Sequence, residues 1–412
     1  MNQLAINGGR PVRTAPMPAR KVFQLEEKQA VMDLFDQAMQ DGHGVISYSG
    51  FHEDNYCKEF SEFLGGGFSD GVNSGTNALY IALRALELEP GSEVIVPAIT
   101  DPGGAMPVAM CNCIPVAADT VENYYNIGAK QIEEKLTDKT SAIIVAHIAG
   151  FPADMDPIIK LADSKGIPVI EDCAQAHGAK YNGRTVGTLG TISCFSLMYG
   201  KHHATGGQGG MVFTKDNSLY WKVRQYADRG KPLGIENASN GNIVCALNCN
   251  MDELHACIGR VQLRKLPDII FRRRKWAKQI AERCRKELQS VRLKEESDNC
   301  EGVYWFLLFE CDESKLTVSK NDFAKAVAAE GLCVNNSYLH VPMRMEWAER
   351  FHAFGKESTL PWSLGRKHPA ELINVDKVDS KYFNLGLHED WTQNEVEDLV
   401  TALKKVESAY LG

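Results

Sequence analysis

The 412-residue sequence lacks several features that define other protein classes. It contains no run of eighteen apolar residues, so it predicts no membrane-spanning helix. The opening stretch "MNQLAINGGRPVRTAP" has no apolar signal region, and a cytoplasmic protein without a membrane anchor is expected. No low-complexity tract interrupts the chain, and its 44% of hydrophobic residues is typical of a globular protein with a substantial core.

Basic clusters and zinc-binding patterns are also scarce. With a net charge of −8 the chain has no general attraction for nucleic acid or an anionic membrane, so neither is an expected partner. The one basic run, "FRRRKWAK" from Phe271, lies among helix formers and is interpreted as a solvated helix face. The close pairs Cys111/Cys113 and Cys245/Cys249 have no second pair at a zinc-ligand spacing, so reduced thiols and no metal site are expected.

Short apolar runs alternate with amphipathic stretches through the first two thirds of the chain. The clearest runs are "EVIVPA" from Glu93, "SAIIVAH" from Ser141, "IPVIED" from Ile167, "TISCFSL" from Thr191 and "GGMVFT" from Gly209. This alternation predicts a large α/β domain over residues 1–266, with a mostly parallel mixed sheet flanked by helices and an N-terminal segment. From about Pro267 the pattern changes, and it predicts a smaller α+β domain over residues 267–412.

Ligands of open α/β sheets collect at the carboxyl ends of the strands, so residues that follow apolar runs are the first candidates. "VNSGTNALYIALRALEL" places Ser74, Gly75 and Thr76 directly before a helix pattern. Free N–H groups at a helix start, a glycine that permits close approach and a hydroxyl suit a phosphate. Ordinary capping of the helix by Ser74 or Thr76 explains the same residues equally well.

Two acids and a lysine follow other strands. Glu171 and Asp172 in "IPVIEDCAQAHGA" place at least one carboxylate at the mouth of the sheet, where it pairs with a cationic group, binds a metal or caps a turn. Lys201 in "SLMYGKHHATGGQGG" precedes its glycines, whereas a P-loop requires the glycines first. His202 and His203 would point to opposite faces of a strand, which argues against a shared metal ion. A lysine available for covalent chemistry is the remaining interpretation.

An anion cradle, a strand-end acid, a lysine and the hydroxyl of Ser196 together suit pyridoxal phosphate, which carries a phosphate, a pyridine nitrogen, a phenolic oxygen and an aldehyde. "SGT", "EDCAQAHGA" and "SLMYGK" with its glycine run resemble the sugar aminotransferases of the DegT/DnrJ/EryC1/StrS family, which have fold type I. The spacing agrees, with 24 residues from Asp172 to Ser196 and five more to Lys201. The resemblance covers about residues 72–259 and is looser outside them.

The resemblance implies specific roles. Lys201 is implied to bond covalently to the cofactor aldehyde and later to move a proton, and Asp172 to keep the pyridine nitrogen protonated. The other implied cofactor contacts are Gly75, Thr76 and Ser196 at the phosphate, Ala174 against the ring, Gln175 at the phenolic oxygen, and Asn248 at the phosphate from a second subunit. A homodimer with shared active sites is therefore implied. Asp101 departs from the family pattern, because it stands where relatives carry an aromatic residue that stacks on the ring.

The implied reaction is transfer of an amino group from L-glutamate or L-glutamine to a carbonyl sugar. The candidate acceptors are a nucleotide-linked keto-deoxysugar, a keto-cyclitol and an oxidised 3-deoxy-octulosonate used for lipopolysaccharide. Relatives that dehydrate keto sugars carry histidine in place of the lysine, so a shift of one residue to His202 would favour a dehydratase; the spacing from Ser196 favours Lys201. A non-catalytic cofactor-binding regulator and an ordinary nucleotide-binding domain are the remaining alternatives.

Overall fold

The computed structural model describes residues 3–41, 44–238, 241–338, 340–368 and 370–412. Its strands are β1 (Phe68–Val72), β2 (Glu93–Pro97), β3 (Ile114–Ala118), β4 (Thr140–Ala146), β5 (Val169–Asp172), β6 (Lys180–Tyr181), β7 (Arg184–Thr185), β8 (Ile192–Ser196), β9 (Gly210–Thr214), β10 (Val291–Leu293), β11 (Cys300–Glu301), β12 (Phe306–Cys311), β13 (Val334–Asn335) and β14 (Tyr382–Gly386). Its α-helices are α1 (Leu25–Gln40), α2 (Phe51–Phe63), α3 (Gly75–Ala85), α4 (Met106–Met110), α5 (Ala129–Glu133), α6 (Met155–Lys165), α7 (Asn217–Ala227), α8 (Glu253–Glu287), α9 (Lys320–Ala329), α10 (Glu346–Glu349), α11 (Ile373–Lys381) and α12 (Gln393–Tyr410).

The central sheet has seven strands in the order β1-β9-β8-β5-β4-β2-β3. The neighbours from β8 to β3 pair in parallel, whereas β9 is antiparallel to both β1 and β8. β2 and β3 are buried along their whole length, which is expected for strands with packed layers on both faces. Val94 and Val96 pack into one hydrophobic cluster and Ile95 into another. The predicted mostly parallel mixed sheet flanked by helices is confirmed.

Two helix boundaries follow from local chemistry. α3 begins after Ser74, whose Oγ accepts the N–H of Asn77 at 3.1 Å. α6 ends at Lys165, and the capping residue Gly166 has φ 65°, a left-handed conformation that glycine adopts without steric cost. Among the helices of the described ranges, none is both long and apolar enough to cross a membrane.

The C-terminal part contains a four-stranded antiparallel sheet in the order β10-β12-β14-β13, accompanied by α9, α11 and α12. The 35-residue helix α8 connects it to the central sheet and continues through Pro267 without a break. The division predicted between residues 266 and 267 therefore lies inside a helix, and it stays a prediction. The N-terminal segment packs on the C-terminal part, since Arg13 pairs with Glu395 at 3.1 Å and Asp398 at 2.7 Å.

The basic run on α8 differs from its prediction. Phe271 is exposed, but the Arg273 side chain is buried and its Nε donates to Glu389 at 3.0 Å. The prediction of a solvated face was therefore wrong at Arg273, because the α8 surface that carries this residue packs against the segment after β14. All twelve cysteines are free thiols.

Candidate active site

The carboxyl ends of β5 and β8 and the start of α3 enclose a cavity of about 230 Å³. Parallel strands end at the same edge of a sheet, which brings residues from distant segments together. The predicted site residues that line this cavity are Gly75, Thr76, Asp172, Ala174, Ser196 and Lys201. Gln175 and Asn248, which were also predicted, lie outside it.

The predicted anion cradle lies at the start of α3. Ser74 uses its hydroxyl to cap Asn77, so the cap does not occupy the backbone of Gly75 or Thr76. The N–H groups of Gly75 and Thr76 come before the first intrahelical hydrogen bond and are available to a ligand. A Cβ on Gly75 would lie 2.6 Å from the Cβ of Ser196, so only glycine permits this approach of β8 to the helix start.

The adjacent acids Glu171 and Asp172 serve different places, because successive side chains of a strand point to opposite faces. Asp172 lines the cavity at 7% exposure, and its Oδ1 accepts the N–H of Ala174 at 3.0 Å. Burial raises the pKa of the Asp172 carboxyl, and the hydrogen bond from Ala174 and the charge of Lys201 act in the opposite direction.

Glu171 is fully buried and holds the turn before β8. Its carboxylate accepts three backbone N–H groups, from Gly187 (2.7 Å), Leu189 (2.8 Å) and Gly190 (2.6 Å). His147 accepts the N–H of Ala153 on Nδ1, so its Nε2 carries the proton and donates to Glu171 at 3.2 Å. Cys173 lies close enough to complete a set of metal-ligand types, but the Glu171 oxygens are already occupied by these donors. The arrangement is that of a structural carboxylate.

Lys201 lies five residues beyond the end of β8, in a turn where its N–H donates to the carbonyl of Met198 at 2.9 Å. Its side chain is 6% exposed, and Nζ lies 4.2 Å from the centroid of the Trp305 ring. Burial lowers the pKa of the Lys201 amine, whereas the negative charges of Asp172 and Asp101 raise it. The net pKa is lowered, so a larger fraction of this amine is neutral at a given pH than in a free lysine.

The two histidines after Lys201 do not reach the cavity. They lie in a bend and not in the strand assumed from the sequence. His202 hydrogen-bonds the carbonyl of Val303 at 3.0 Å, and His203 hydrogen-bonds the hydroxyl of Tyr56 at 2.7 Å. Both rings are fully buried, and Lys201 is the member of this run that lines the cavity.

Gln175 is held beside the cavity by two hydrogen bonds. Its Oε1 accepts the N–H of Ala149 and its Nε2 donates to the hydroxyl of Tyr338, both at 2.8 Å. Burial raises the pKa of the Tyr338 hydroxyl, and the charge of Asp101, which lines the cavity, raises it further. The Tyr338 hydroxyl is therefore close enough to the cavity to interact with its charged groups. Asn248 is exposed, and its Oδ1 accepts the side-chain amide of Asn250 at 2.7 Å.

Sequence reasoning missed several residues around the cavity. Met198 and Gln208 line it, and both lie in the stretch that was singled out for Lys201. Asp101, which the sequence placed where relatives carry a ring-stacking aromatic residue, also lines the cavity, and its Oδ1 accepts the N–H of Gly103 at 2.9 Å. Trp305 comes from just before β12, far along the chain, and no local pattern could assign it to Lys201.

Comparison with known proteins identifies relatives over most of the chain. A GDP-perosamine synthase of Escherichia coli O157:H7 is 34% identical over 283 residues, which are 68% of this chain and 74% of that protein. An L-glutamine:2-deoxy-scyllo-inosose aminotransferase of Streptomyces fradiae is 29% identical over 410 residues, which are 96% of this chain and 92% of that protein. The crystal structure of an aminotransferase from Psychrobacter cryohalolentis matches with a TM-score of 0.82 at 28% identity, covering 96% of this chain and 99% of that one.

Residues 26–404 match the DegT/DnrJ/EryC1/StrS aminotransferase family. The match extends the resemblance found in the sequence to nearly the whole chain, and together with the solved structure it confirms the prediction of fold type I. The cavity fits the cofactor of this family, because a helix N-terminus, a buried carboxylate and a buried lysine line it. The chain therefore belongs to the DegT/DnrJ/EryC1/StrS aminotransferase family, whose cofactor is pyridoxal 5'-phosphate.

Proposed function

We propose that the chain transfers an amino group from L-glutamate or L-glutamine to a keto or aldehydo sugar in amino-sugar biosynthesis. The observation that carries the proposal is that Lys201, Asp172 and the start of α3 line one cavity. The relatives named for GDP-perosamine and for 2-deoxy-scyllo-inosose support acceptors of the nucleotide-linked sugar and cyclitol classes. An oxidised 3-deoxy-octulosonate, with lipopolysaccharide as its destination, is the third acceptor class to be tested.

Each residue has a proposed task that suits its surroundings. Pyridoxal phosphate supplies, when bound, an aldehyde that takes up an amino group and a ring that withdraws electrons. The Gly75 and Thr76 N–H groups and the Ser196 hydroxyl would hold its phosphate. Asp172 would hold a proton on the ring nitrogen, and Lys201, with its lowered pKa, would take a proton from the substrate carbon and return it.

The position of Lys201 favours transamination over dehydration. A dehydratase of this family would present histidine at this place, but His202 is buried and bonded to Val303 outside the cavity. In a non-catalytic regulator, amino donors would leave the bound cofactor unchanged. In an aminotransferase, by contrast, the visible absorbance of the purified holoenzyme should disappear on addition of L-glutamate or L-glutamine and return on addition of the correct keto sugar.

Two further measurements test the attachment site of the cofactor and the identity of the acceptor. Borohydride reduction followed by peptide mass spectrometry should place the cofactor on Lys201. Screening one keto sugar from each of the three acceptor classes for recovery of the visible absorbance should identify the acceptor. Visible absorbance that no amino donor changes would contradict the proposed transfer and favour the regulator.

We also propose a homodimer in which Asn248 completes the site of the partner subunit. Asn248 is exposed and lies outside the cavity of its own subunit, and the neighbouring Leu247 has a side chain that is 57% exposed. Both side chains are therefore accessible to a second subunit, as the family resemblance implies for Asn248.

Subunit mixing tests the shared site. Lys201→Ala and Asn248→Ala chains should each be impaired as homodimers, but their heterodimer should regain activity, because one of its two sites has both residues intact. Absence of recovery in isolated heterodimers would show that Asn248 serves its own subunit or no site at all.

A further inference from the structure

A second cavity, of about 650 Å³, lies next to the proposed active site. It is enclosed by the N-terminal segment around Arg20, by Trp305 before β12 and by β14. The amine of Lys201 lies over the ring of Trp305, so the two cavities are neighbours. Within the described ranges, no residue lines both of them.

The wall of this cavity carries an excess of positive charge. Arg20 and Arg273 both line it, and their Nε atoms share the single carboxylate of Glu389 at 2.7 Å and 3.0 Å. The remaining hydrogen bonds of Arg20 go to the carbonyls of Lys201 and His202, which carry no net charge. Two guanidinium groups thus face one carboxylate, and a buried charge without a counter-charge favours an anionic ligand.

The next acid, Asp390, acts on Arg273 only through space. It accepts the backbone N–H of Lys21 at 2.7 Å, and in the described part of the chain it makes no hydrogen bond to Arg20 or Arg273. Burial lowers the pKa of Arg273 to about 10, and Glu389 opposes that shift only in part.

An unused hydrogen-bond donor lies in the same wall. Asn384 on β14 is 3% exposed, and its Oδ1 accepts the amide of Asn335 at 3.2 Å. Its Nδ2 has no hydrogen-bond partner in the described part of the chain, and neither has Nδ1 of His388. Buried polar groups without a partner are uncommon and costly, so Asn384 points to a ligand that would accept its hydrogen bond.

The rest of the wall is largely apolar and aromatic, with Trp305, Phe306, Tyr338 and Trp391 among its residues. A free inorganic anion would gain nothing from these rings, whereas an organic acid would bury its body against them. We propose that this cavity binds a small organic carboxylate with an apolar or aromatic body. Its carboxylate would lie between the arginine pair and Asn384.

The chain offers a built-in reporter for this site. Cys333 and Cys245 are the two cysteines with exposed side chains in the structure, and only Cys333 lines the second cavity. Benzoate at ten times its Kd should slow iodoacetamide alkylation of Cys333 in the holoenzyme about tenfold and leave Cys245 unchanged. Benzamide, which has the same shape without the charge, should protect Cys333 far less.

Variants of the two asparagines locate the site. Asn384→Asp keeps the oxygen that accepts from Asn335 but replaces the unused donor by a negative charge, so benzoate should bind at least about tenfold more weakly. Asn335→Asp places a negative charge at an exposed position of the same wall and should also weaken benzoate binding. Because this position is exposed, the variant should fold even if Asn384→Asp does not, so the test does not depend on one variant. Asn394→Asp adds the same charge at an exposed position of α12 and is the matched control, with protection expected to equal that of the wild type.

The proposal fails if benzoate gives no selective protection of Cys333, if benzamide protects equally, or if both cavity variants keep wild-type protection. These outcomes are independent of the proposed transamination, because that activity is followed by the visible absorbance of the cofactor with an amino donor.

Discussion

The amine of Lys201 lies 4.2 Å from the centroid of the Trp305 ring and lines the same cavity as Asp172. Burial lowers the pKa of the Lys201 amine, and in the described part of the chain no carboxylate makes a direct ion pair with it. The geometry therefore favours an amine that reacts with an aldehyde and then exchanges protons.

Replacement of this lysine should abolish covalent attachment of the cofactor. Lys201→Ala should show no modified peptide after borohydride reduction, and its turnover should fall by roughly 10³-fold or more. Lys201→Arg is the matched control for bulk and charge, and it should be equally inactive because guanidinium stays protonated. Retention of activity by either variant would reject Lys201 as the catalytic amine.

Asp101 should set the pH at which Lys201 becomes reactive. Its negative charge favours the protonated amine, so Asp101→Asn should lower the pKa of Lys201 further. Because the neutral amine reacts with the cofactor, the half-point of the rate of pyridoxal phosphate uptake by the apoenzyme should move to lower pH. Asparagine can keep the cap on Gly103, so folding should be preserved. High salt should reduce the difference from the wild type, and a shift to higher pH would contradict the assignment.

Asp172 should matter for turnover and not for folding. Asp172→Asn preserves an oxygen for the N–H of Ala174 and removes a carboxylate whose pKa burial raises, so the melting temperature should stay equal or rise. The amide cannot keep the ring nitrogen protonated, and kcat should fall by roughly 10²–10³-fold. Steady-state kinetics with thermal unfolding on the same preparation checks both parts.

Glu171, one residue earlier, should give the opposite result. Glu171→Gln turns an NH2 group toward backbone donors and should lower the free energy of unfolding by roughly 2–3 kcal/mol, with kcat little changed in the folded fraction. Burial raises the pKa of Glu171, but the hydrogen bonds from His147, Gly190 and Gly187 outweigh it, and the net pKa is lowered. The stability from this group is therefore complete above the ordinary value of 4.5 and is lost as the pH falls toward the folded value. Denaturant unfolding at pH 7 and at pH 4 should show a smaller difference between variant and wild type at the lower pH.

Glu171 and Asp172 show which features of the site can be predicted from the sequence and which cannot. An apolar run ending in two acids predicts a strand end and a carboxylate at the sheet edge, because both signals are local. Which acid faces the cavity depends on the phase of the strand relative to its neighbours, and that phase is a property of the assembled sheet. In the structure, Asp172 lines the cavity, whereas Glu171 accepts hydrogen bonds from the turn before β8.

Residues assembled over long distances could not be predicted in this way. Arg273 is part of a basic helical run, and its burial follows only from the position of Glu389 in the C-terminal part. Trp305 packs on Lys201 because its indole Nε1 donates to the carbonyl of Gly200 at 3.1 Å, and no spacing in the sequence encodes that contact. Gly75 could be predicted, because a glycine directly before a helix pattern indicates a helix start that an anion can approach, and this signal lies within a few residues.

Replacement of Gly75 should weaken cofactor binding at the start of α3. A Cβ at Gly75 would lie 2.6 Å from the Cβ and 2.9 Å from the Cα of Ser196, so Gly75→Ala must separate the helix start from β8. The N–H groups would then move away from the phosphate, and the affinity of the apoenzyme for pyridoxal phosphate should fall by about ten- to a hundredfold, corresponding to the roughly 1–3 kcal/mol of an overpacked contact. Gly207→Ala is the matched control in the glycine run, because a Cβ there would meet no atom of the described segments within 4 Å. Equilibrium titration of the two apoenzymes with pyridoxal phosphate should separate them, and equal affinities would mean that the start of α3 does not hold the phosphate.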